Sequence, residues 1–146
     1  MEYISNSDTE TRKISEQFAS RLKGGEVLCL YGDLGAGKTV FVQGMVNYFL
    51  PGKRVLSPTF TIVRHYSSLH DIIKTIYHID LYRLEKSDEI SPLGLSEFMH
   101  KPDTIVAIEW AEKLGKHLPQ ERIDISLKTL SDQSRSITVD QTHAIA

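Results

Sequence analysis

The stretch 27–39, VLCLYGDLGAGKT, decides the fold of this chain. Its first five residues are apolar and stand between glycine-containing segments, which is typical of a short strand buried on both faces. A glycine-rich turn follows, and the apolar spacing after Lys38 predicts a helix that ends before Pro51. A strand, a tight loop and a helix in this order predict an α/β domain.

The turn carries a phosphate-binding motif, because residues 32–39 match G-x-x-x-x-G-K-[ST] at every fixed position. Glycines let several backbone N–H groups converge on a phosphate, and the start of the helix adds the positive end of its dipole. Lys38 would reach the β- and γ-phosphate oxygens, and the Thr39 hydroxyl would bind Mg²⁺. A glycine-rich turn with an exposed lysine is the disfavoured alternative. We therefore predict a nucleoside triphosphate site, and the absence of an Asn/Thr-Lys-x-Asp motif favours ATP over GTP.

The segments around this core predict further helices and strands. Ser7 and Glu10 have capping-box spacing, so an amphipathic helix is expected from there to about residues 24–25. Strands are expected at 59–66, 72–81, 104–108, 122–127 and 135–139, and one or two short helices within 85–99. Residues 1–146 are thus expected to form a single P-loop NTPase domain of the α/β class, with a mixed, mostly parallel sheet flanked by helices.

Composition excludes several classes of protein. The 146 residues include 17 Lys plus Arg and 19 Asp plus Glu, and a net charge of −2 offers no basic field for direct nucleic-acid binding. The single cysteine, Cys29, cannot form an intramolecular disulfide. No signal-like start and no apolar run near 20 residues is visible, so a cytoplasmic protein is expected.

Two acidic residues follow apolar strands and could complete a metal site. Glu109 ends the wholly apolar run 105–108, which is expected to lie centrally beside the strand of the loop, so we favour Glu109 as the metal-side acid. Asp80 follows the run 76–79 and becomes the candidate to orient water near the γ-phosphate. For each acid, a salt bridge or a solvated surface position is the alternative.

Three other residues admit two interpretations each. Thr59 stands where nucleotide switches place a hydroxyl that senses the γ-phosphate, but an ordinary strand threonine fits equally well. For His78, a hydrogen-bonded structural role is favoured over a catalytic one. Trp110 could stack near the nucleotide or pack in the core.

Four blocks in order, residues 32–39, 57–60 (SPTF), 78–83 (HIDLYR) and 109–110 (EW), resemble the bacterial TsaE family, formerly called YjeE. A phosphate loop alone is common, whereas these blocks together are specific, and the resemblance runs from about residue 7 to 135. It implies an ATPase subunit for N6-threonylcarbamoyladenosine modification of tRNA next to the anticodon. The family binds ATP and ADP with Mg²⁺, hydrolyses ATP slowly alone, and works with the TsaD–TsaB pair. The resemblance further implies that TsaD carries out the transfer, that hydrolysis resets the complex, that tRNA is contacted only through the complex, and that no membrane is involved.

The resemblance also implies roles for individual residues. Phosphate contacts would come from Leu34, Gly35, Ala36, Gly37, Lys38 and Thr39. Thr39 and Glu109 would hold Mg²⁺, and the catalytic set would be Lys38, Thr59, Asp80 and Glu109. Glu112 and Arg135 would lie on the nucleotide side, although Ser134 replaces the glycine that the family usually has before this arginine.

Two alternatives to the ATPase subunit follow from the same loop. A small phosphotransferase would consume ATP faster with an acceptor metabolite, but no arginine-bearing lid is evident. A nucleotide sensor that does not hydrolyse ATP would keep its function after Asp80→Ala and Glu109→Ala, provided that both variants bind ATP.

Overall fold

Seven strands form one sheet in a computed structural model that describes residues 1–55, 63–85 and 94–141. The strands are β1 (Glu2–Ser5), β2 (Val27–Tyr31), β3 (Val63–Ser67), β4 (Thr75–Asp80), β5 (Thr104–Glu109), β6 (Ile123–Thr129) and β7 (Arg135–Gln141). The helices are α1 (Asp8–Ala19) and α2 (Lys38–Phe49), and 3₁₀ turns span Leu95–Glu97 and Ala111–His117. The α/β fold predicted from the loop and its flanking strand and helix is confirmed.

The strand order is β1-β7-β6-β2-β5-β4-β3. The neighbours β6-β2, β2-β5 and β5-β4 are parallel, whereas β1-β7, β7-β6 and β4-β3 are antiparallel. The sheet is therefore mixed, as expected, with parallel strands at its centre and antiparallel strands on both sides. Parallel pairs do not outnumber antiparallel pairs, however, and in this respect the sequence-based expectation was wrong. Because β2, β5 and β4 are parallel, their carboxyl ends lie on the same side of the sheet. Ligand sites in parallel sheets are found at the carboxyl ends of the strands.

Each face of the sheet is covered by a hydrophobic layer. On one face α1 and α2 pack together and bury Phe41, Met45 and Ile105 among others. The two helices pack tightly at Gly44, where an added Cβ would lie 1.9 Å from Ser15 Oγ. The other face packs against the 3₁₀ turn of residues 111–117 through Ala111 and Leu114. Both layers hold the ends of β2, β4 and β5 in fixed positions.

Two features of the described residues differ from the sequence-based expectation. β1 was not predicted, and it pairs with β7 at the edge of the sheet. α1 ends at Ala19, earlier than expected, because Arg21 and Leu22 donate i→i−3 hydrogen bonds that tighten the chain. Residues 56–62, which include Thr59, and residues 86–93 of the predicted short helices lie outside the described residues.

None of the helices in the described part of the chain has the length and apolar character needed to cross a bilayer.

Candidate functional site

The loop between β2 and α2 requires glycine at specific positions. Gly32, Gly35 and Gly37 have φ angles of +151°, +81° and +101°, which side chains other than glycine rarely adopt. A Cβ at Gly32 would also lie 2.5 Å from the Leu127 carbonyl oxygen. α2 begins at Lys38 with no side-chain cap, so its first N–H groups face the loop without a competing side chain.

The Lys38 side chain folds back over this loop. Its ammonium donates to the carbonyl oxygens of Gly32 and Asp33, the latter at 3.0 Å, and lies 4.0 Å from the centre of the Trp110 ring. Burial lowers the pKa of Lys38, and the negative charge of Glu109 partly opposes that shift. The loop thus holds its own lysine close to where phosphate oxygens would bind.

Glu109 joins the loop to the neighbouring strands. It ends β5 and is 3% exposed. The Thr39 hydroxyl lies 3.0 Å from both carboxylate oxygens, and His78 Nε2 lies 2.5 Å from Oε2. A buried acid next to the loop threonine is the arrangement that the apolar pattern of 105–108 had suggested.

Asp80 lies beside Glu109 because the two residues are register partners in β4 and β5. It is 8% exposed, and its Oδ1 accepts a hydrogen bond of 2.9 Å from the Tyr82 backbone N–H. Burial raises the pKa of Asp80, the Tyr82 N–H opposes that shift, and the Glu109 charge adds to it. Two carboxylates at adjacent strand ends therefore differ in their surroundings.

An aromatic rim borders the acids. Trp110 has φ 59° and ψ 41°, a left-handed conformation that is strained for a bulky side chain. Its ring lies 5.2 Å from that of Tyr82. Lys113 donates to the backbone carbonyls of Tyr82 and Leu84, so it connects the turn after β5 to the segment after β4. Both segments thus lie beside Trp110, whose ring contacts the Lys38 ammonium.

These groups open into a cleft of about 400 Å³. It is lined by Asp8, Leu34, Gly35, Gly37, Lys38, Thr39, Val40, Asp80, Tyr82, Glu109, Trp110 and Arg135. Arg135 donates to the Ser131 and Ser134 carbonyls at 2.9 and 3.0 Å and to Gly35 O at 3.2 Å, so it is anchored to the loop. The cleft has the size expected of a small-molecule site.

Most of the residues singled out from the sequence come together here, within the described part of the chain. Ala36 is buried in the loop, and Glu112 is exposed on the 3₁₀ turn, outside the cleft lining, although its charge acts on Lys38. Thr59 lies outside the described residues. Sequence reasoning missed Asp8, Val40 and Tyr82 as lining residues. The acidic first turn of α1 and the position of Tyr82 two residues after Asp80 were the available signals.

The donor set fits a magnesium ion accompanied by phosphates. Mg²⁺ prefers hard oxygen ligands, and Thr39 Oγ1 and the Glu109 carboxylate supply them at the mouth of the loop. The described residues hold no group of three or more His, Cys, Asp and Glu side chains able to bind a metal. Phosphate oxygens and water would therefore have to provide the remaining ligands, as is usual for Mg²⁺ in nucleotide sites.

Comparison with known proteins shows to which family the chain is related. A family model described as threonylcarbamoyl adenosine biosynthesis protein TsaE matches residues 5–137. A protein from Bacillus subtilis named tRNA threonylcarbamoyladenosine biosynthesis protein TsaE is 43% identical over 88% of this chain and 78% of its own length. A protein of the same name from Treponema pallidum is 35% identical over 95% of this chain and 99% of its own length. Among solved structures, the crystal structure of Bacillus subtilis YdiB is similar with a TM-score of 0.79 and 34% identity, and it covers 98% of this chain and 86% of that one.

Proposed function

The chain belongs to the TsaE family, and from this premise we propose that it is an ATP-hydrolysing subunit that acts in threonylcarbamoyladenosine biosynthesis on tRNA. One observation carries the ATPase part of the proposal. The Thr39 hydroxyl of a complete phosphate loop lies 3.0 Å from the carboxylate of a buried acid, Glu109. That pair is what a nucleotide with its metal requires.

Phosphate binding is assigned to the loop and to Lys38. When ATP enters, its β- and γ-oxygens replace the Gly32 and Asp33 carbonyls as acceptors for the Lys38 ammonium. The left-handed glycines and the uncapped start of α2 present N–H groups to the same phosphates. The resting contacts of Lys38 support this exchange because, among the described residues, its ammonium contacts the carbonyls of the loop and the Trp110 ring.

Thr39 and Glu109 would hold Mg²⁺, which supplies neutralisation of the charge that develops on the phosphates. Asp80 is proposed to orient the attacking water. Its Oδ1 is engaged by the Tyr82 N–H, so Oδ2 is the oxygen that would accept from water. The position of Asp80 in the cleft lining and its place next to Glu109 support this role.

The output of hydrolysis is proposed to be a change in a protein complex. The resemblance of four sequence blocks to the TsaE family implies the TsaD–TsaB pair as partner, with transfer to tRNA carried out by TsaD. In this scheme the chain hydrolyses ATP slowly alone, and hydrolysis resets the complex between turnovers. The cytoplasm, where tRNA is modified, is the proposed location.

Reconstitution of tRNA modification tests this proposal. Unmodified tRNA, the TsaD–TsaB pair, threonylcarbamoyl adenylate and Mg·ATP are combined with the wild-type chain, with Lys38→Ala, or with neither. We expect repeated turnover only with the wild-type chain, measured as modified nucleoside by mass spectrometry. Equal yields in all three reactions would refute the role in modification.

A further inference from the structure

A buried histidine with no role in the proposed reaction contacts the carboxylate of Glu109. His78, on β4, is 0% exposed and does not line the cleft. Its Nε2 is 2.5 Å from Glu109 Oε2, and the Thr39 hydroxyl lies 3.0 Å from both Oε1 and Oε2 of the same carboxylate. A hydrogen bond in a buried location restricts how the carboxylate can rotate.

The sheet register explains how the imidazole reaches Glu109. His78 pairs with Ala107, and Asp80 pairs with Glu109, so all four side chains lie on the same face. Because Ala107 carries only a methyl group, the ring of His78 has room to lean along β5 toward Glu109. A larger residue at position 107 would occupy that space.

The hydrogen bond has a defined direction. When Glu109 is a carboxylate, which only accepts hydrogen bonds, His78 Nε2 is the donor of this pair. Among the described residues, the Nδ1 atom is buried and has no hydrogen-bond partner. A proton at Nδ1 would thus be a buried donor without an acceptor, which favours the arrangement with the ring proton on Nε2.

We propose that His78 is a positioning residue, whose Nε2–H holds Glu109 Oε2 so that Oε1 and Thr39 Oγ1 together face the magnesium side of the cleft. This inference rests on the proposed nucleotide site, because the carboxylate needs a fixed orientation only if it serves a metal. Groups of this kind, hydrogen-bonded to a metal-binding side chain, typically change metal affinity by about 10–100-fold when they are lost.

Two substitutions of His78 distinguish the effect of its hydrogen-bond donor from the effect of its side-chain volume. His78→Gln keeps an N–H donor that can reach Glu109, whereas His78→Leu has a similar volume and no donor. His65→Gln, at an exposed position on neighbouring β3, is the control. The Mg²⁺ concentration that half-saturates ATP binding is measured by calorimetry, together with ATP binding in the absence of Mg²⁺.

We expect His78→Leu to need about tenfold more Mg²⁺, whereas His78→Gln stays within about threefold of the wild type. ATP binding without Mg²⁺ should be unchanged in both variants. Equal Mg²⁺ requirements in the wild type and both variants would overturn the inference, as would an equal loss in Gln and Leu. Failure of the wild type to bind ATP would instead contradict the proposed function.

A measurement on the wild-type protein keeps the inference testable if His78→Leu does not fold. Long-range ¹H–¹⁵N spectra report which ring nitrogen carries the proton, and His78 is assigned by comparison with His78→Gln. We expect the Nε2–H form, with a downfield proton that shifts in Glu109→Gln. An Nδ1–H form would overturn the inference whether or not ATP binds.

Discussion

The Lys38 ammonium makes all of its described contacts with carbonyl oxygens of its own loop and with the Trp110 ring. If these contacts give way to phosphate oxygens, Lys38→Ala removes charge-assisted hydrogen bonds worth about 1.5–3 kcal/mol each. We expect ATP affinity to fall by about 10–100-fold or more in calorimetric titrations. Lys116→Ala, which changes an exposed lysine that does not line the cleft, is the matched control. Undiminished affinity in a folded Lys38→Ala protein would contradict the phosphate site.

Trp110 provides an optical measurement of the same exchange. It is the only tryptophan of the chain, and the Lys38 ammonium lies 4.0 Å from its ring. If phosphate oxygens bind the Lys38 ammonium, the ammonium moves away from the Trp110 ring. Mg·ATP should therefore change the fluorescence emission of Trp110 in a saturable way. AMP, which lacks the β- and γ-phosphates, should have little effect. Calorimetric binding of ATP with constant emission would show that Lys38 stays on the ring.

We expect the buried Asp80 carboxylate to lower the stability of the folded protein while it supports ATP hydrolysis. Burial raises its pKa above the ordinary 3.8, so the folded protein resists ionisation of this carboxyl. Asp80→Asn keeps the Oδ1 acceptor for the Tyr82 N–H and removes the charge. At pH 7 we expect a Tm increase of about 2–4 °C for each kcal/mol gained, and ATP hydrolysis reduced at least about tenfold.

The pH dependence of the Asp80 effect has a definite sign. Below the ordinary pKa of 3.8, Asp80 is protonated in both the folded and unfolded states, so the wild type and Asp80→Asn should have similar Tm values. As pH rises, the unfolded chain ionises first and the wild type loses stability relative to the variant. Asp71→Asn, at an exposed position, should show no such trend. A gap that narrows with rising pH would contradict the assigned environment of Asp80.

At the scale of elements, the contact of α1 with α2 sets the position of the helix that begins at the phosphate loop. An alanine Cβ at Gly44 would lie 1.9 Å from Ser15 Oγ and 2.6 Å from the Arg12 carbonyl oxygen. We expect Gly44→Ala to lower the free energy of unfolding by about 1–3 kcal/mol, measured by urea denaturation. Gly52→Ala is the control because its Cβ would meet open space and only its positive φ would cost stability. An unchanged midpoint for Gly44→Ala would mean that the helices do not pack this closely.

The elements that sequence analysis identified are those with strong local signals. The runs 27–31 and 104–108 were recognised as buried strands because they are continuously apolar, and they became β2 and β5. β1 has only four residues, of alternating character, and is stabilised by pairing with the distant β7, which no local pattern reveals. The end of α1 was misplaced because Leu22 continues the apolar spacing while the backbone has already tightened.

The same distinction holds for the candidate site. The loop was readable because its chemistry is contained in eight consecutive residues, 32–39. The hydrogen-bond partner of His78 could not be predicted from the sequence. Glu109 is 31 residues away in the chain, and its contact with His78 depends on the register of β4 and β5. The sequence indicated a structural histidine, and the sheet adds the carboxylate that it contacts.

At the scale of the whole molecule, one parallel sheet centre brings Thr39, Asp80 and Glu109 to a single edge. It remains a prediction, consistent with the net charge of −2, that the molecule contacts tRNA only through partner proteins. The molecule would then act by coupling the occupancy of one nucleotide site to the state of a larger assembly.

The ATPase rate with and without the TsaD–TsaB pair, at matched Mg²⁺, tests that account most directly. The wild type is compared with Glu109→Gln, which keeps the shape of the side chain and removes its charge. We predict slow hydrolysis by the wild type alone, a faster rate with the pair, and a rate at least about tenfold lower for Glu109→Gln in both conditions. A wild-type rate that the pair does not change, or an unimpaired Glu109→Gln variant, would contradict it.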